Sequence, residues 1–147
     1  MKNQFKNKKV LITGHTGFKG SWLVAWLNIL GAEILALSKD VPTKPAHYDL
    51  IKKSLNNDFR LDITNYEKIS KTIIDYKPDF LFHLAAQPIV LTSYEDPLLT
   101  FQSNTVGTLN ILESLRKSNH SCTAVIITSD KCYENLDKKI KYKENDL

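Results

Sequence analysis

Two stretches hold residue types that could do chemistry. The first is Thr13-Gly14-His15-Thr16-Gly17-Phe18-Lys19-Gly20, with glycines at equal spacing between an apolar run and an amphipathic one. Read as strand, tight turn and helix, it forms a phosphate cradle. Gly14 lets the chain leave the strand in a conformation that a Cβ resists. Gly17 removes a side chain where a pyrophosphate would approach, and Gly20 lets the new helix pack close. The helix N-terminus adds unbonded N–H groups and a positive dipole end. His15 and Lys19 could reach the pyrophosphate, although His15 reads equally well as a plain loop residue. A glycine triplet alone also marks a ligand-free turn; the strand before it and the helix after it favour the cradle. The second stretch is Thr128-Ser129-Asp130-Lys131: a hydroxyl, an acid and a cation just past an apolar run. On residue types alone it is a polar loop at a strand end.

The elements that would position these groups alternate in type. Strands are expected at 8–13, 33–38, 58–61, 79–84 and 123–128, each largely apolar, as suits strands covered on both faces. Helices are expected at 18–30, closed by Gly31, and at 64–76 and 93–117, with a short one near 46–53. Thr64 and Glu67 are spaced as a capping box, Ile69, Ile73 and Ile74 share one face, and Glu67 and Lys71 pair across a turn. Val106, Leu109, Ile111, Leu112 and Leu115 are expected to form the core face of the long helix. This alternation implies right-handed crossovers and an α/β fold with a doubly wound parallel sheet.

In such sheets the ligand lies outside the carboxyl ends of the strands. The glycine loop, Ser38–Asp40, Asp62-Ile63, Leu84-Ala85-Ala86-Gln87 and Thr128–Lys131 all fall there. The end of the second strand is where a dinucleotide fold reads the adenosine ribose. An acid there, Asp40, favours NAD, and a base, Lys39, could pair with the 2′-phosphate of NADP. The two are adjacent; the reading adopted is Asp40 and NAD, with NADP open. His83 reads as a satisfied core histidine.

With 147 residues, 42% hydrophobic and 24% charged, the chain has room for one domain with a real core. The net charge of +4 is modest and its lysines cluster near the two ends, with no basic, aromatic-laced face for nucleic acid. Cys122 and Cys132 make neither a disulfide framework nor a metal site. No signal peptide or membrane span is evident, and a cytoplasmic setting is expected.

Taken together, T-G-H-T-G-F-K-G-S-W-L, H-L-A-A-Q-P, S-Y-E-D-P, N-T-V-G-T-L-N-I-L-E and T-S-D-K-C-Y-E resemble the CDP-glucose 4,6-dehydratases. These are extended short-chain dehydrogenase/reductases that act on nucleotide sugars. The resemblance implies a Rossmann-type domain that binds NAD, contacts from Asn104 among others, and a redox-neutral reaction on CDP-glucose. A hydride leaves sugar C4, water is eliminated across C5 and C6, and the hydride returns at C6. By resemblance, Ser129 would bond the C4 oxygen, Asp130 would protonate the departing hydroxyl, and Lys131 would assist at C5. An acid suits a poor leaving group and a cation suits an enolate-like charge.

The family takes its base from a Tyr-x-x-x-Lys pair on the helix that follows the Tyr142–Asp146 region. No such pair is read here: Tyr133 is followed four residues on by Asp137, and Tyr142 by Asp146. The expectation is therefore an amino-terminal cofactor half, residues 1–147, lacking the last strand and the sugar-nucleotide domain and inactive alone. The resemblance also implies a homodimer, with the 93–117 helix at its contact. A related epimerase or reductase, or a non-catalytic NAD(P)-binding module, are the other readings.

Overall fold

The computed structural model describes residues 4–129, 132–134 and 141–147. Its centre is a five-stranded sheet: β1 (Lys9–Thr13), β2 (Glu33–Ser38), β3 (Asn57–Arg60), β4 (Phe80–His83) and β5 (Thr123–Ile126). The order is β3-β2-β1-β4-β5 and every neighbouring pair is parallel. The strand order reverses at β1, between β2 and β4, so the expected doubly wound sheet forms with its switch point beside the glycine loop.

Alternation along the strands sends side chains to two cores. Val10, Ile12, Ile34 and Ala36 meet Val24 and Leu27 of α1 (Phe18–Ile29) on one face. Leu11, Leu35, Leu37 and Leu81 meet Ile69 and Ile73 of α3 (Tyr66–Tyr76) and Ile111 of α6 (Gly107–Lys117) on the other. Between β2 and β3 lies α2 (Tyr48–Ile51), continued by a 3₁₀ turn over Lys52–Ser54.

Several local expectations need correction. Asn65, rather than Thr64, caps α3: its side chain accepts from the Lys68 N–H, while the Thr64 hydroxyl donates to Asp62. Lys71 pairs with Asp75 at 2.8 Å, not with Glu67. Ile74 turns away from the core and is 37% exposed. The long helix is three pieces: α4 (Val90–Glu95), α5 (Pro97–Phe101) and α6, with a π turn over Gln102–Val106 joining the last two. Pro97 breaks it, and the Asp96 side chain caps the restart by accepting from Leu99 N–H. The extra residue of the π turn rotates α6, so it buries Gly107, Asn110, Ile111 and Ser114 and leaves Leu109 and Leu112 exposed. β3 starts one residue early, and β5 is a partly exposed edge strand rather than a covered one. No described helix is long and apolar enough to cross a membrane.

Candidate functional site

All five strands end on one edge of the sheet, and the loops that leave them meet there. Gly14 leaves β1 with φ +78°, and a Cβ on it would lie 2.6 Å from Ala85 N, so the glycine loop rests directly on the loop after β4. A Cβ on Gly20 would overlap the Gly14 carbonyl and come within 2.7 Å of His15 Cα. Both glycines are demanded by packing of the fold. Gly17 is not: its Cβ would meet nothing nearer than Gly14 O at 3.4 Å. It is the N-cap of α1, has ordinary extended backbone, and no side chain caps that helix end. The first amide to find a carbonyl one turn back is Ser21, on Gly17 O at 2.9 Å. An uncapped helix start, with a glycine that its own surroundings do not require, suits a phosphate group.

A polar network beneath the loop fixes its shape. Thr16 N–H donates to Ser38 Oγ at 3.3 Å, and the Thr16 hydroxyl donates to the Asp40 carbonyl at 2.6 Å. His15 is fully buried, with Nδ1 3.0 Å from Ser38 Oγ and Nε2 2.9 Å from Asp58 Oδ1. Burial holds the His15 pKa below the ordinary imidazole value despite the Leu37 carbonyl and the Asp58 carboxylate. The ring is therefore neutral, and its contact with Asp58 is a hydrogen bond rather than an ion pair. Burial works against the Asp58 carboxylate, but the hydrogen bonds from Tyr48 and Arg60 and the Arg60 charge keep its pKa low. Tyr48 donates its hydroxyl to Asp58 and accepts from Arg60 at 2.7 Å; Arg60 also bonds Asp58 at 2.7 Å.

Several residues read as cofactor contacts thus have side chains committed to the protein itself, among them Thr16 on the Asp40 carbonyl, Asp62 on Thr64 and Lys39, and Gln87 on Ile89 and Thr100. The His15 ring and the Ser38 hydroxyl face inward and are taken. The Ile63 side chain lies in the core, where Gly107 leaves room for it. The Asn104 amide binds the backbone of Gln87, accepting from its N–H at 2.7 Å and donating to its C=O at 3.0 Å. Phe18 (74% exposed) and Lys19 lie open at the head of α1. Asp40 is exposed, whereas Lys39 is turned to Asp62 at 3.1 Å. Thr128 and Ser129 are exposed past the end of β5. Asp130 and Lys131 lie outside the described residues.

The sequence reading missed Tyr48, Asp58 and Arg60, because nothing in their spacing brings the start of α2 and an edge strand under the glycine loop. It also passed over a Tyr-x-x-x-Lys spacing at Tyr48 and Lys52. That pair is no base: Tyr48 is buried on Asp58, which helps raise its pKa after burial, and Lys52 bonds Asp49 at 2.9 Å. His83 is, as expected, a satisfied core histidine, bonded to Thr13 and Thr108.

Residues 11–147 match the family described as GDP-mannose 4,6 dehydratase. The chain belongs to that family. Within it, the chain is 41% identical over 99% of its length to the CDP-glucose 4,6-dehydratase of Salmonella typhimurium. It is 35% identical over 94% to the CDP-paratose 2-epimerase of Salmonella typhi, and it spans 41% of either enzyme's length. Among solved structures, the epimerase Mth375 of Methanothermobacter thermautotrophicus superposes over 97% of this chain and 41% of its own, with TM-score 0.79 and 26% identity. The Thermus thermophilus UDP-glucose 4-epimerase, solved in complex with NAD, superposes over 75% of this chain and 34% of its own, with TM-score 0.66 and 34% identity.

Proposed function

We propose that this chain is the dinucleotide-binding part of a sugar-nucleotide 4,6-dehydratase that acts on CDP-glucose with NAD. The observation that carries the dinucleotide reading is Gly17, a glycine that the protein's own packing does not require, at the uncapped head of a helix beside the switch point. The amides that open α1 hold the pyrophosphate. Asp40, exposed after β2, accepts from the adenosine ribose hydroxyls. The Lys39 ammonium engages Asp62 rather than standing free for a 2′-phosphate, which supports NAD over NADP. Leu84, Ala85, Ala86, Gln87 and Thr128 wall the crevice on the β4 and β5 side. When bound, the nicotinamide supplies a reversible hydride acceptor.

The CDP-glucose reading rests on the 41% identity to a CDP-glucose 4,6-dehydratase and on Ser129-Asp130-Lys131. Ser129 bonds the sugar C4 oxygen, Asp130 protonates the leaving hydroxyl, and Lys131 stabilises charge at C5. An epimerase reading has no use for that acid. In this reading residues 1–147 form the cofactor domain, and a sugar-nucleotide region with its Tyr-x-x-x-Lys base completes the enzyme. Exposed Leu98, Phe101, Leu109 and Leu112 support a homodimer contact along α5 and α6. Calorimetric titration of the chain with NAD and NADP tests the central claim. NAD binding is expected, lost in Gly17→Asp; no binding of either dinucleotide would refute it.

A further inference from the structure

One assignment of protons keeps every hydrogen bond around His83 at once. Thr108 Oγ1 donates to the Asn104 carbonyl at 2.7 Å, so at His83 Nε2, 3.0 Å away, it accepts. Nε2 therefore carries the ring proton. Nδ1 is then bare and accepts from the Thr13 hydroxyl at 2.6 Å. With its own proton given to the ring, Thr13 Oγ1 accepts from the Ala85 N–H at 3.3 Å. At the other end, the Asn104 side chain bonds both backbone groups of Gln87. One continuous chain thus runs from Ala85 through Thr13, His83, Thr108 and Asn104 back to Gln87. It holds both ends of the loop on which the glycine loop rests. The π turn over Gln102–Val106 makes this closure possible, since Asn104 sits in it and faces the loop with its side chain and Thr108 with its carbonyl. Such turns recur where a helix serves a site.

We propose that His83, fixed as the Nε2–H tautomer between Thr13 and Thr108, is a positioning residue that sets the Leu84–Gln87 loop against Gly14. Its ring is 2% exposed and burial depresses its pKa, so it stays neutral and keeps this tautomer in ordinary buffers. Only the consequence for cofactor affinity rests on the dinucleotide reading above; the hold on the loop does not.

The test uses Thr108→Val, which keeps the shape and removes the acceptor, and Thr108→Ser, which restores it. Amide hydrogen exchange is followed at Ala85 and Gln87, with Leu11 in β1 as a measure of global opening. The Val variant should speed exchange at Ala85 and Gln87 about tenfold relative to Leu11, the equivalent of one lost hydrogen bond, and the Ser variant should reverse this. The ring 15N resonances of the parent chain should show Nε2 protonated and Nδ1 bare. The proposal is overturned if Leu11 speeds up equally, if Ala85 does not respond, or if the ring proton is on Nδ1. NAD titration of the same variants then reads the coupling: the Val chain should bind about tenfold more weakly and the Ser chain normally. Failure of the parent chain itself to bind NAD would refute the dinucleotide reading, while the exchange result still decides the role of His83.

Discussion

Gly17 and Gly20 are three residues apart in one loop, and the structure separates what each does. An alanine at Gly20 would drive its Cβ into the backbone of Gly14 and His15, which no rotamer change relieves. Overpacking of this kind costs about 3 kcal/mol. Helix propensity returns about 1 kcal/mol. The net loss of about 2 kcal/mol should lower Tm by roughly 6 °C for a chain of this size. An alanine at Gly17 meets only Gly14 O at 3.4 Å, with φ −70° and ψ 166°, which alanine adopts readily. A poorer N-cap and a stiffer unfolded chain oppose each other, so stability should change by less than about 1 kcal/mol. Yet the new methyl would stand where the pyrophosphate comes in. An overlap costing about 1–3 kcal/mol there weakens binding roughly 10- to 100-fold. The assay is thermal unfolding and calorimetric NAD titration on both variants. Gly17→Ala should fold and fail to bind well; Gly20→Ala should fold poorly. If Gly17→Ala binds NAD like the parent chain, the loop is not a pyrophosphate cradle. If Gly20→Ala is as stable as the parent, the close approach of helix and loop is wrong.

Other outcomes follow from the buried polar groups and the site. His83 is held at a pKa of about 4 by burial, against about 6.5 in the unfolded chain, so the unfolded state gains a proton first as pH falls. Stability is therefore intact above about pH 6.5 and declines by about 3 kcal/mol toward pH 4, with His15 adding in the same direction; urea melts that are flat between about pH 7 and 5 would contradict this. Tyr48→Phe removes the hydroxyl between Asp58 and Arg60 and should cost about 1–2 kcal/mol in chemical denaturation, and a cost of only a few tenths would mean the network is slack. Lys52→Met should leave NAD affinity unchanged, because Lys52 is tied to Asp49 on the surface; a large loss would return the Tyr48–Lys52 spacing to the site. The chain alone should not turn over CDP-glucose in a coupled spectroscopic assay, and measurable 4-keto product would place the base within these residues.

The linear pattern of the chain was enough for the sheet, the position of the glycine loop and the family. Apolar runs and amphipathic stretches alternate along the chain, and a glycine loop between the first two leaves little freedom: strands covered on both faces, connected by helices, wind into a parallel sheet whose carboxyl edge collects the loops. The folded chain alone shows which of its polar side chains are taken up by the protein itself. His15, Ser38 and Asn104 look like ligand contacts in the chain, but their partners come from β3, from the glycine loop and from the loop after β4. Those partners are 17 residues distant for Asn104 and 43 for the His15–Asp58 contact. The π turn had the same effect on α6: one extra residue rotated its apolar stripe, sending Leu109 and Leu112 outward and Asn110 and Ser114 inward. A local pattern fixes where a backbone goes. The direction of a buried polar group is set by whichever donor or acceptor lies across from it, and that is known only once distant segments meet.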